Sequence, residues 1–120
     1  MTEENKVLFR RFIEAENRAD LETMSECASP EIVDHAATLH TRAGLEGVKR
    51  TYLEFREQYP DFHYTIEDLL SDGDRVVCRW TLRGTQRATG EPLLVRGINI
   101  DRIVGGKIVE HWASHNRVSD

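Results

Sequence analysis

At 120 residues the chain suits one domain, residues 1–120, that buries about two thirds of its unfolded surface and needs neither a disulfide framework nor a structural metal. Charged residues at 31 % beside 39 % apolar ones are ordinary for a soluble globular protein. The net charge of -5 argues against nucleic-acid binding, which needs clustered Lys and Arg.

The start, Met1 to Lys6, is polar and acidic with no apolar run behind it, unlike a secretory signal. No segment approaches the length of a membrane span, so a cytoplasmic protein without a membrane partner is expected. Over residues 3–18, Leu8, Phe9, Phe12 and Ile13 recur at helical spacing. Asp20 is placed to cap a short second helix with Leu21, Met24, Cys27 and Ala28 inward, and Ser29-Pro30 breaks it. Ile32 to His35 reads as a short extended piece, and residues 38–43 as loop. Val48, Tyr52, Phe55 and Tyr59 predict a third helix that ends at Pro60.

Beyond Pro60 the period becomes two. Residues 62–70 alternate, and Ser71-Asp72-Gly73-Asp74 predicts a turn. In the next strand Val76, Cys78, Trp80 and Leu82 share one face, and Val77, Arg79, Thr81 and Arg83 the other. A long strand over residues 93–103 meets the last one through Gly105-Gly106, a hairpin signal. In that last strand His111, Ala113 and His115 share a face, and two imidazoles beside a small residue suit an acid–base pocket. Helices followed by an antiparallel meander imply an α+β fold. Cys27 and Cys78 match no metal spacing and are expected as free thiols in a reducing compartment. The histidines give no zinc pattern, and no phosphate loop or dinucleotide fingerprint appears, so no metal and no cofactor are expected.

Asp34-His35, Gly84-Thr85, Arg96-Gly97-Ile98 and Gly106-Lys107-Ile108-Val109-Glu110-His111-Trp112, in this order, resemble the SnoaL-like polyketide cyclases. These belong to the nuclear-transport-factor-2-like (NTF2-like) group, with limonene epoxide hydrolase and ketosteroid isomerase, and the resemblance runs over residues 6–112. It implies a cone-shaped α+β barrel, about three helices packed on a curved, mostly antiparallel sheet around an apolar pocket. It also implies dimerisation through the outer sheet face, where Arg79, Arg83, Arg96 and Arg102 stand beside Ile98 and Ile100.

Cyclases of this kind close a ring by intramolecular aldol addition, using an aspartate two residues beyond a strand histidine. His111 matches the histidine, and Ala113 stands at the aspartate position. The hydrolase Arg and second Asp fall on Trp80 and Leu82, so that reading loses its triad. His35 aligns with the proton-shuttling carboxylate of the isomerases. His111 or His35 is thus the candidate base, with a structural histidine as the alternative at each position. Asn99 is the candidate donor to a substrate oxygen. Tyr52, Trp80 and Cys78 are pocket wall, and His115 is a further candidate lining residue.

The reading is a polyketide (ester) cyclase or ketone isomerase that takes a proton beside the carbonyl of a small hydrophobic molecule. The alternative is a non-catalytic binder of a similar ligand. With no aspartate at position 113, the base is expected to be a neutral histidine whose pKa burial lowers from the reference of about 6.5. Asp34 or Asp101 replaces it if activity survives acidification.

Overall fold

The computed structural model describes residues 2–35 and 44–118; the loop expected over residues 38–43 lies outside the described residues. The elements in chain order are α1 (Thr2–Arg18), α2 (Leu21–Cys27), β1 (Ala28–Asp34), α3 (Gly44–Gln58), β2 (His63–Asp72), β3 (Arg75–Thr85), β4 (Pro92–Val104) and β5 (Lys107–Arg117).

In α1, Glu3 and Glu4 lie in the first turn and Arg18 in the last, matching the helix dipole. Its buried stripe holds Phe9, Ile13 and Ala15. Ala19 ends the helix in the left-handed region (φ 57°), and the Asp20 amide returns to the Ala15 carbonyl at 2.9 Å. Asp20 then caps α2 as its position predicts, accepting from the Thr23 amide at 3.0 Å and the Thr23 hydroxyl at 2.7 Å. The chain passes directly into β1 at Ala28, so Ser29 and Pro30 belong to a strand. Pro30 is tolerated because β1 is an edge strand with an irregular ladder between Ala28 and Val33.

The sheet order is β1-β5-β4-β3-β2, antiparallel throughout except for the parallel β1–β5 pair. The fold is therefore α+β, with helices packed on a mixed five-stranded sheet that stays open between its edges. Ser71 and Asp72 extend β2 rather than form the turn. Gly105 and Gly106, at φ 59° and 74°, make the expected tight turn between β4 and β5.

Two extra residues bend the ladders. Glu67 interrupts β2 against β3, and Val109 interrupts β5 against β4. The second bulge decides the site. Ile108 is buried opposite Ile103, and strict alternation from it would turn His111 outward. Val109 absorbs one residue, so His111 comes to face the helices beside Asp101. The helix-covered face also holds Val76, Cys78, Trp80 and Leu82 of β3 against Phe9, Ile13, Met24, Tyr52 and Phe62. Gly97 is required here, since a Cβ on it would lie 2.3 Å from Cζ2 of Trp80. Among the described residues, no helix is long and apolar enough to cross a membrane.

Candidate functional site

Three cross-strand rows make the covered face of the sheet. They are Val76–Asp101–His111, Cys78–Asn99–Ala113 and Trp80–Gly97–His115, reading from β3 through β4 to β5. The first two rows carry the polar chemistry. His111 Nδ1 meets Asp101 Oδ1 at 2.7 Å, and Asn99 Nδ2 donates to Asp101 Oδ2. Asp101 is 3 % exposed, so both its oxygens are engaged within the protein. Its hydrogen bond to Nδ1 fixes the ring and leaves Nε2 on the far side of the imidazole.

Burial opposes charge on His111. The hydrogen bond and charge of Asp101, helped by the charges of Asp34 and Glu16, outweigh it and raise the imidazole to about 9. The neutral, low-pKa histidine expected from Ala113 is therefore corrected. The aspartate absent from β5 is replaced by one reaching across from β4, and His111 is an imidazolium at neutral pH.

Glu16, in the last turn of α1, is the second displaced group. Burial raises its carboxyl to about 8, with His111 pulling it down and Asp101 pushing it up. That turn is held rigidly. Asn17 exchanges hydrogen bonds with the Tyr64 backbone at 3.0 and 2.8 Å, and Arg56 donates to the carbonyls of Glu16 and Asn17 at 3.2 and 3.3 Å. The Tyr52 hydroxyl also donates to the Glu16 carbonyl, so it is committed to the fold.

Aromatic rings fill the other half of the face. Ring contacts run in series, Tyr52–Phe62 (5.5 Å), Phe62–Tyr64 (5.7 Å), Tyr64–Trp80 (5.2 Å) and Trp80–His115 (6.1 Å). His115 is exposed at the end of β5, with its ring against Trp80. Burial, then the Asp101 charge, pushes the Cys78 thiol up to about 12, which leaves it apolar wall.

His111, Asn99, Cys78, Trp80 and Tyr52 thus gather on one face, and His35 does not. Its ring stacks on Trp112 at 4.8 Å and its Nε2 meets Glu110 Oε2 at 2.8 Å. Glu110 and Trp112 alternate with His111 along β5, so this cluster occupies the opposite face. His35 and His111 cannot serve one pocket. Asn99 likewise acts first on Asp101 rather than as a free donor to substrate.

Asp101 and Glu16 are the groups the sequence reading undervalues. Asp101 shares the parity of Val95, Gly97 and Asn99, and Glu16 stands three residues beyond Ile13 and seven beyond Phe9 on the buried stripe. Two surface depressions, one lined by Glu4, Asn5, Leu8, Gly73 and Asp74 and the other by Glu54, Glu57, Gln86 and Arg87, include neither His111 nor Asn99. Among the described residues, no cluster of three or more His, Cys, Asp or Glu is placed to hold a metal ion.

A family model described as a SnoaL-like domain matches residues 9–111. Among solved structures, IdmH of Streptomyces antibioticus, a proposed polyketide cyclase, is similar at 29 % identity and a TM-score of 0.83, over 93 % of this chain and 91 % of that one. TsrD of Streptomyces laurentii gives 26 %, a TM-score of 0.85, and 94 % and 88 % coverage. AclR of Streptomyces galilaeus, a proposed hydroxylase, gives 25 %, a TM-score of 0.83, and 97 % and 81 % coverage. No curated protein matches the chain.

Proposed function

The chain belongs to the SnoaL-like family, and from that premise we propose that it enolises a small hydrophobic carbonyl compound, as a polyketide (ester) cyclase or a ketone isomerase. The observation that carries the reading is the buried Asp101 hydrogen-bonded to the half-buried His111. An imidazolium held at Nδ1 presents Nε2–H to a substrate carbonyl oxygen and stabilises the enolate that forms when the neighbouring carbon loses its proton. Asn99 keeps Asp101 in place. The ring wall of Phe62, Tyr64 and Trp80 suits a flat apolar substrate. The solved relatives support the cyclase class through IdmH, while AclR carries a different proposed chemistry on a similar scaffold.

Ile98 and Ile100, 52 % and 36 % exposed on the uncovered sheet face beside Arg79 and Arg96, support a homodimer through that face. The free thiols of Cys27 and Cys78 support a cytoplasmic location.

The test is deuterium uptake at the α-carbon of β-tetralone in heavy water, followed by NMR. Catalysed exchange should exceed the buffer rate and drop about 100-fold or more in His111→Gln. Binding of β-tetralone without catalysed exchange would instead establish the non-catalytic binder.

A further inference from the structure

A carboxylate accepts hydrogen bonds and donates none, so it decides which way a neighbouring amide turns. Asp101 takes the ring N–H of His111 on Oδ1 at 2.7 Å and the amide N–H of Asn99 on Oδ2. The NH2 end of Asn99 is therefore committed to Asp101, and the carbonyl Oδ1 is the end left for other partners. That corrects the expectation that Asn99 donates to a substrate oxygen. What it offers is an acceptor.

The flanking strands do not satisfy that acceptor. Along its cross-strand row Asn99 lies between Cys78 and Ala113. The Cys78 thiol turns to the Arg79 carbonyl at 3.7 Å, and Ala113 ends in a methyl group. Among the described residues no donor reaches Asn99 Oδ1, and no side-chain nitrogen or oxygen sealed from water lacks a partner. An oxygen without a partner is thus one that an incoming group can reach. The approach lies over Ala113, which is half-buried although Asn99 across the ladder is only 5 % exposed. His111, two residues earlier on the same face of β5, is half-buried as well. The imidazolium, the methyl group and the amide oxygen border one accessible stretch of the covered face.

We propose that Asn99 sets the substrate class of this site. Its Oδ1 accepts a hydrogen bond from a substrate hydroxyl while His111 Nε2–H donates to the carbonyl, so the ligand is a hydroxy ketone rather than a plain ketone. The carbonyl half rests on the enolisation reading above; the hydroxyl half rests on the orientation of the amide. A neutral donor fits, because an ammonium group would meet the positive imidazolium. An ether or a second ketone brings only lone pairs against the amide oxygen and leaves it unpaired. The methyl group of Ala113, where the resemblance expects an aspartate, leaves that place to the substrate hydroxyl. A site built to hydrogen-bond a hydroxyl discriminates against the analogue that lacks it.

Titration calorimetry compares α-tetralone, its ring-hydroxylated derivatives and their methyl ethers on wild type, Asn99→Ala and Asn99→Thr. Asn99→Thr keeps a hydroxyl for Asp101 on a residue suited to a strand, and lacks the amide carbonyl. At least one hydroxy ketone should bind the wild type about 10-fold more tightly than both the parent ketone and its own ether. The preferred isomer reports the spacing between the two protein groups. In both variants the preference should vanish while α-tetralone still binds, which also shows that they are folded. Equal affinities in the wild type, beside intact β-tetralone exchange, would overturn the proposal and leave the enolisation reading standing. A hydroxyl preference that survives in either variant would overturn it too. So would loss of every ketone from both variants, which would make Asn99 a support for Asp101 alone. A wild type that neither binds a tetralone nor catalyses exchange would end both readings.

Discussion

β5 carries a histidine–carboxylate pair on each side, with nearly equal separations and different consequences. On the covered side His111 and Asp101 meet at 2.7 Å, with side chains 29 % and 4 % exposed. On the open side His35 and Glu110 meet at 2.8 Å, with side chains 39 % and 24 % exposed. At the outer pair Glu110 is held below the usual carboxylate range by hydrogen bonds from His35 and then Arg102. At the inner pair burial pulls the histidine down, and the hydrogen bond and charge of the enclosed Asp101 outweigh it and lift the imidazole to about 9. Separation does not distinguish a surface ion pair from a site; burial of the acid does.

The contrast is broken most severely at Asp101. Asp101→Ala leaves Asn99 and His111 without their acceptor in a covered space, and should cost about 3 kcal/mol in urea unfolding. The pH dependence carries the same signature. The folded-state pKa of His111 lies above the ordinary imidazole value of 6.5, so the pair stabilises the fold fully below that value and the gain is lost as pH rises through about 9. Melting temperatures taken across that window should decline in the wild type, with this component missing in Asp101→Ala. Equal alkaline declines in the two proteins would show that the pair is not what titrates.

Gly97→Ala comes next. The new Cβ meets the Trp80 ring at 2.3 Å, so the indole must leave its seat against Tyr64 and His115. The expected loss is about 2 kcal/mol, together with altered Trp80 fluorescence. The neighbouring outward Ile98→Ala should change stability by less than about 0.5 kcal/mol in the monomer. Comparable costs for the two would mean that the faces are not packed differently.

His35→Gln is the gentlest change. An exposed pair contributes at most about 1 kcal/mol, and β-tetralone exchange should remain at the wild-type rate. Loss of exchange there would bring the outer cluster into the chemistry and overturn the separation of faces.

The period change after Pro60, the Asp20 cap, the Gly105-Gly106 turn and the alternation of Val76, Cys78, Trp80 and Leu82 were all legible in the chain, because each is a relation between residues close in sequence. Such relations determine which elements form and which side chains share a face. They do not determine what lies opposite. Placing His111 inward required the Val109 bulge, which becomes defined only when β5 is registered against β4. Asp101 is the partner of His111 across that ladder, His35 reaches β5 from just beyond the end of β1, and Glu16 arrives on a helix packed over the sheet. The acid–base character of the site therefore belongs to the tertiary structure: a charge responds to whatever folding brings near it and to how much water is left there, and neither quantity is local in sequence.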